Sequence, residues 1–110
     1  MEITLFDKNN TMYIHYTHKT YYYWLRNMVK HLYNYPNIIK LHIDGELDWK
    51  ICKSMLNILK DVRFVDKNNE NENDDEKNYT IKQLNKVTWD IIKLLKICVK
   101  NKDNLIIKQN

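Results

Sequence analysis

The chain of 110 residues contains a single glycine, Gly45, and a single proline, Pro36. Glycine supplies the permissive backbone that tight turns and close approaches to a phosphate require. One glycine excludes both a phosphate-binding loop of the GxxxxGK type and a GxGxxG dinucleotide fingerprint. The length suits one small domain. We therefore expect one domain without either nucleotide-binding loop.

Two cysteines, Cys52 and Cys98, lie far apart in apolar segments. A disulfide closing a long loop is possible, but two buried thiols in a reducing compartment are the simpler interpretation. There is no CxxC pair and no Cys/His cluster at zinc spacing, so no metal and no cofactor is predicted. No apolar run approaches the ~20 residues of a membrane span, and no leader pattern is present. We expect a soluble intracellular protein without a membrane partner or a small-molecule substrate.

Charge is unevenly distributed along the chain. The tract from Asp66 to Asn78 (DKNNENENDDEKN) contains six acids, two lysines and no apolar side chain. Such a segment cannot offset its ordering entropy by burial, so we expect a disordered loop at 66–78. It is either a low-complexity insertion or an acidic docking element. The rest of the chain is then more basic than the net charge of +4 indicates, and a small basic body attracts nucleic acid first and an acidic protein second.

Hydrophobic periodicity predicts a strand and then a helix in the first third of the chain. Residues 12–16 (MYIHY) are rich in aromatic and β-branched side chains, as strands are. From Thr20 to Asn34 apolar residues recur at helical spacing, with Thr17 or Thr20 as N-cap and Pro36 just beyond the end. The buried stripe of this helix is expected to consist of Tyr21, Leu25, Met28, Val29 and Leu32.

A second strand and helix follow. Residues 38–44 (IIKLHID) alternate between apolar and polar, which predicts a half-buried strand before the turn at Gly45. Asp48 can cap a helix that runs to about Lys60, and residues 62–65 (VRFV) are interpreted as a third strand. The buried side of this helix is expected to comprise Leu47, Ile51, Met55, Ile58 and Leu59, and its polar side Lys50, Lys53, Asn57 and Lys60.

Residues 87–100 (VTWDIIKLLKICVK) are ambiguous between a helix and a strand. Their apolar residues suit a helix, and the two-residue alternation of a strand is broken at Lys96. The segment by itself favours a helix over a strand. The apolar residues 105–107 (LII) are not assigned to an element.

The order of elements resembles that of the Alba superfamily. Two motifs carry the resemblance: YIHYTHKT (13–20), a strand leading through a lysine into a helix, and IIKLHIDGELDWKICKSMLNIL (38–59), a strand, a glycine and an amphipathic helix. The resemblance covers about 12–66 and 79–100. It implies an α+β two-layer sandwich in strand–helix–strand–helix–strand–strand order, with two helices on a mixed four-stranded sheet. Residues 87–100 then become the last strand.

On this resemblance the domain spans 12–100 and is interrupted by the loop at 66–78. Residues 1–11 become an N-terminal extension, and residues 101–110 a C-terminal tail. Within the superfamily the chain is most similar to the Alba-type subunits of eukaryotic ribonuclease P and RNase MRP, in particular the smaller partner of that heterodimer. Lys19 followed by Thr20, the acidic loop and the basic, apolar-rich last segment carry this similarity.

The similarity implies a non-catalytic RNA-binding subunit of a ribonuclease P/MRP-type particle, acting in tRNA or ribosomal RNA processing. Its implied partners are a structured RNA and a second Alba-like chain in a heterodimer, and its implied location is the nucleus or nucleolus, with the cytoplasm second. DNA-binding relatives carry Gly-Arg where this chain has Gly45-Glu46. Three carboxylates near that turn, Asp44, Glu46 and Asp48, would repel phosphate, which puts a DNA-binding role in doubt.

The candidate site residues follow from the first motif and from the lysine-rich side of the second predicted helix. The predicted nucleic-acid contacts are His18, Lys19, Thr20, Lys50 and Lys53. Tyr22 and Tyr23 are predicted partner contacts, because four consecutive rings at 21–24 cannot share one face of a helix. Trp49 is a further predicted partner contact.

Two other classes of function stay open: a general Alba-like DNA- or RNA-binding protein of chromatin or messenger RNA, and a protein–protein adaptor. No catalytic residue is predicted, because the carboxylate cluster at 44–48 has no cleft around it. His15 and His18 form an HxxH pair, but no third metal ligand is identifiable.

Overall fold

The structure, a computed structural model, describes residues 2–31, 45–64 and 75–109. These residues form four strands, β1 (Glu2–Asp7), β2 (Tyr13–Thr17), β3 (Gly45–Leu47) and β4 (Leu105–Gln109). They also form three helices, α1 (His18–His31), α2 (Trp49–Leu59) and α3 (Asp75–Asn101). The predicted strand at 38–44, the helix end near Pro36 and the part of the acidic tract at 66–74 lie outside the described residues.

The four strands form one sheet in the order β2-β1-β4-β3. All three pairings are antiparallel, and Leu5 at the centre lies opposite both Ile14 and Ile107. Side chains of a strand alternate between the two faces, and the inner strands bury Ile3, Leu5, Leu105 and Ile107 toward the helices. The α+β prediction is confirmed, as three helices on an antiparallel sheet that is not closed into a barrel. The mixed sheet with two helices is not what the described residues form.

Residues 87–100 are helical, so the strand that the Alba resemblance implied there is wrong. The apolar side chains recur every three or four residues, and this spacing places one continuous stripe against the core. The stripe is buried and consists of Leu84, Val87, Thr88, Ile91, Leu94, Leu95 and Cys98. The helix begins at Asp75, so the last four residues of the acidic tract, 75–78, are helical rather than part of a loop.

The segments expected to flank the domain supply the two inner strands of the sheet. Residues 2–7 are β1 and residues 105–109 are β4, and they pair with each other. Residues 62–64 of the predicted third strand are not a strand. The backbone of Phe64 pairs instead with the amide of Asn85 on α3, which donates to Phe64 O (3.0 Å) and accepts from Phe64 N (2.9 Å).

The two helices predicted from local pattern are present with the expected caps. The Thr17 hydroxyl accepts from Thr20 N at 3.2 Å at the start of α1, and the Asp48 carboxylate accepts from Lys50 N at 2.7 Å at the start of α2. A side chain that accepts from these otherwise unpaired N–H groups stabilises the helix start. The described part of the α1 stripe is buried as predicted, and on α2 Met55 and Leu59 are buried while Ile51 and Ile58 are half-buried.

Asp7 is a fully buried carboxylate at the end of β1. Its Oδ1 accepts from Met12 N at 2.8 Å and so closes the turn between β1 and β2. Burial alone raises the pKa of this carboxyl, but the N–H of Met12 and the nearby N–H and hydroxyl of Thr11 favour the charged form. These groups hold the pKa below its ordinary value of 3.8.

Replacing Asp7 by Asn is expected to destabilise the protein by about 1.5–3 kcal/mol at neutral pH, because the charged acceptor of the Met12 N–H is lost. A lowered folded-state pKa means that the stabilisation is complete above the unfolded-state pKa and disappears as the pH falls through the folded-state value. The difference between Asp7→Asn and the native chain should therefore shrink below pH ~4. Urea unfolding across pH measures this, with Asp61→Asn as an exposed control. An equal difference at neutral and acidic pH would contradict the role of the charge.

Candidate nucleic-acid interface

The sequence-predicted residues around Lys19 form one cluster at the start of α1. Lys19 is exposed and lines a shallow depression together with Thr20, Tyr23 and Gln83 of α3. The ring of His18 lies 4.3 Å, centroid to centroid, from that of Tyr22. We call the group His18, Lys19, Thr20 and Tyr23 the Lys19 corner. Tyr23 is 44% exposed, so this corner offers an aromatic ring as well as a cation.

A second cluster lies at the start of α2. Trp49 is half-buried, and the ammonium groups of Lys50 and Lys102 each lie 5.9 Å from the centre of its ring. Its backbone N–H donates to Asn104 Oδ1 at 3.1 Å, which ties the start of α2 to the segment that leads into β4. Lys53 is exposed one turn further along. We call the group Trp49, Lys50, Lys53 and Lys102 the Lys50 corner.

The sheet places these two corners diagonally opposite each other. Lys19 follows Thr17, which lies at the end of one edge strand and pairs with Glu2. Lys50 follows Leu47, which ends the other edge strand at the opposite end of the sheet. Three strand spacings of ~4.8 Å separate the two edges. The predicted nucleic-acid contacts are therefore not one local site.

The outer side of α3 carries a row of cations that the sequence interpretation did not include. The positions at this outer side repeat every three or four residues, which keeps them on one face of a helix. All six are exposed: Lys82, Lys86, Trp89, Lys93, Lys96 and Lys100. We call these six residues the lysine face. It extends for about 27 Å at 1.5 Å per residue.

Each corner lies near one end of the lysine face. Near its beginning, Gln83 lines the same depression as Lys19. At its other end, α3 ends at Asn101, and the left-handed φ of +50° at the next residue, Lys102, accompanies the hydrogen bond that Asp103 N donates to Cys98 O. Lys102 then lies over the Trp49 ring of the Lys50 corner. The two predicted clusters thus lie near the two ends of the lysine face, and we call the lysine face and the two corners together the basic track.

One acidic side chain accompanies the lysine face between Ile81 and Asn101, and it is Asp90. Asp90 Oδ2 accepts from the Tyr16 hydroxyl at 2.6 Å and lies 3.3 Å from Lys86 Nζ. Burial and this bond to Asp90 raise the pKa of the Tyr16 hydroxyl above its usual range. Asp90 therefore offsets one lysine, and the other four keep the positive potential of the track.

Trp89 lies in the middle of the lysine face and is 61% exposed. The ammonium of Lys93 is 5.5 Å from the centre of its ring, within the range of a cation–π contact. The other two tryptophans are more enclosed, since Trp24 is fully buried and Trp49 half-buried. An exposed indole between cations offers a flat apolar surface beside positive charge.

Comparison of the chain with family models, curated proteins and solved structures finds no match.

The remaining polar candidates have structural partners. Glu46 accepts from Asn104 Nδ2 at 2.6 Å and lies 3.4 Å from Lys8 Nζ, and these contacts lower the pKa of its carboxyl. His15 contacts Thr4 Oγ1 at 2.9 Å and Glu2 Oε2 at 3.0 Å, away from His18. Within the described ranges no group of three metal-ligating side chains is placed to hold an ion. Asp44 lies outside those ranges.

Cys52 on α2 and Cys98 on α3 are free thiols in the buried interface between the two helices. The neighbouring Cys52 and burial raise the pKa of the Cys98 thiol above its usual range. Cys98 is thus held in the thiol form, whereas its hydrogen bond with Cys52 lowers the pKa of the Cys52 thiol. Both side chains are fully buried, which keeps reagents in solution away from them. Among the described helices, none is both long and apolar enough to cross a membrane.

The lysine face was missed because residues 87–100 were assigned to a strand. In a strand, Lys93 and Lys96 lie on opposite sides, whereas in a helix they are neighbours. The signal is present in the sequence, since a lysine or a tryptophan recurs at 82, 86, 89, 93, 96 and 100. Only the helical repeat of about 3.6 residues places these six positions on one face.

Proposed function

We propose that the protein is a non-catalytic RNA-binding protein that holds the phosphate backbone along the lysine face. The observation that carries the proposal is a row of five exposed lysines, with a single adjacent acid, on one helix. Lysines neutralise phosphates and release the counterions condensed on them, so such a row favours a polyanion over an uncharged partner.

The two corners support the proposal because they lengthen the track. Lys19 extends it at one end, and Lys50 and Lys102 extend it at the other. Aromatic rings accompany the cations at both corners, which is the combination that single-stranded nucleic-acid grooves use. The sequence-predicted contacts at Lys19 and Lys50 thereby become the ends of a larger surface.

Charge reversal on the lysine face tests this function. The double variant Lys93→Glu/Lys100→Glu is expected to weaken binding of an unstructured RNA by about tenfold or more near 100 mM salt, because two phosphate contacts are lost. The matched control is Lys30→Glu/Lys60→Glu, which changes the net charge equally at exposed positions of other segments. The control should bind nearly as the native chain does.

A salt titration by fluorescence anisotropy completes the experiment. If all five lysines contact phosphates, the logarithm of the affinity should fall with the logarithm of the salt concentration with a slope of about −3.5 for a single strand. The reversed variant should show a shallower slope. Equal losses in both double variants would remove the lysine face as the site, and no affinity near 100 mM salt would leave the adaptor function as the alternative.

The place of this RNA-binding protein in the cell is a separate proposal, tied to the Alba resemblance. In this second proposal the protein is a subunit of a ribonuclease P/MRP-type particle, pairs with a related second chain and is located in the nucleus. Residues 87–100 form a helix where the Alba resemblance implies a strand. The RNA-binding proposal rests on the lysine face and does not depend on the resemblance. Mild isolation of the protein followed by sequencing of bound RNA tests it, and recovery of one structured RNA with a second small chain would support it.

A further inference from the structure

We infer that Trp89 stacks on an unpaired base, so that the lysine face selects single-stranded RNA over a duplex. The inference rests on the proposed function and adds the class of RNA that the site takes. It is carried by the position of one exposed indole at the centre of a row of cations.

The composition of the surroundings distinguishes a nucleic acid from a protein partner. Exposed tryptophans at protein interfaces are surrounded by a core from which lysine is depleted. The neighbours of Trp89 along its face are Lys82, Lys86, Lys93 and Lys96. A ligand that combines closely spaced negative charges with flat aromatic rings satisfies both features, and a single strand of nucleic acid has both.

Whether the bases are paired decides which form of RNA, single-stranded or duplex, can stack on Trp89. In a duplex each base stacks on its neighbours, and its faces are closed to a side chain. In a single strand a base can turn toward the helix while its flanking phosphates reach the lysines on either side. Lys93 lies 5.5 Å from the centre of the Trp89 ring, so a cation is already close to the position a stacked nucleotide takes.

The test compares native protein, Trp89→Leu and Trp89→Tyr on an RNA of ~12 nucleotides, as a single strand and as the duplex of the same sequence. Trp89→Leu is expected to weaken binding of the single strand by about tenfold and to leave duplex binding within about twofold. Its salt slope should not change, because no phosphate contact is lost. Trp89→Tyr should recover most of the affinity.

A probe without bases makes the test specific for stacking. On an abasic strand of the same length, the native protein and Trp89→Leu are expected to bind equally, because the ring has nothing to stack on. The control variant Tyr13→Leu removes an aromatic ring that is 70% exposed on β2, and it should leave single-strand affinity unchanged.

The outcomes separate the two proposals. If the native protein binds single strand and duplex equally and Trp89→Leu affects neither, the stacking inference is wrong while RNA binding stands. If the native protein binds neither, both proposals fail. If Trp89→Leu instead converts a dimer to a monomer in sedimentation, Trp89 is a protein contact and the inference is overturned.

Discussion

A chain trimmed to residues 12–100 is expected not to fold. The residues that this trimming removes include both inner strands of the sheet. With them go four fully buried side chains, Ile3, Leu5, Leu105 and Ile107. Burial of each such side chain contributes about 1.5–3 kcal/mol. Their sum is comparable with the 5–15 kcal/mol by which a small domain is stable. Circular dichroism and urea unfolding should show no cooperative transition for the trimmed chain.

Two substitutions on β4 separate loss of the core from loss of chain length. Ile107→Asp places a charge in the buried face of the sheet. It should strongly lower the free energy of unfolding or abolish the cooperative transition. Lys108→Asp introduces the same side chain at the next residue, which is exposed, and should change stability by less than about 1 kcal/mol. A trimmed chain that unfolds cooperatively at the same midpoint as the intact chain would contradict the inner position of these strands.

Trp24→Ala is expected to destabilise the protein by about 3–5 kcal/mol. Trp24 is fully buried, and its indole N–H donates to Thr88 Oγ1 at 2.8 Å. The Thr88 hydroxyl in turn donates to Leu84 O at 3.0 Å on the same helix. Removing the indole leaves a cavity between α1 and α3 and takes away the donor to a buried hydroxyl.

The matched control is the same substitution at Trp89, which is exposed and is expected to change stability by less than about 1 kcal/mol. Chemical denaturation of both variants measures the difference directly. Similar losses in the two variants would contradict the assignment of Trp24 to the core and Trp89 to the surface. The control also establishes that effects of Trp89 variants on RNA binding do not arise from unfolding.

Local pattern predicted α1 and α2 well, because their information is contained in a few neighbouring residues. Thr17 and Asp48 supply the helix caps, and Tyr21 and Met55 belong to buried stripes at helical spacing. The sheet could not be predicted in the same way. β1 is recognisable only by two buried alternating residues, Ile3 and Leu5, and its partner strand lies at the far end of the sequence.

The candidate site was predicted in pieces. The Alba-like motif singles out Lys19, and the lysine-rich side of α2 singles out Lys50; both are exposed and lie near opposite ends of the lysine face. Predicting the lysine face at the centre of the track requires residues 87–100 to be a helix, whereas the resemblance assigns them to a strand. Trp89 gave no signal of its own, because an indole in an apolar segment is as compatible with a core as with a surface.

The pairing of β1 with β4 has a consequence for how the protein is made. Leu5 and Ile107 lie opposite each other although about a hundred residues separate them in the chain. Closing so long a loop carries a large entropic cost before any contact offsets it, and folds dominated by such pairings form slowly. During synthesis at about 5–20 residues per second, the strand that emerges first waits several seconds or longer for its neighbour. Until β4 leaves the ribosome, β2 is the one partner strand that β1 can reach, and the other edge of β1 has no strand to pair with.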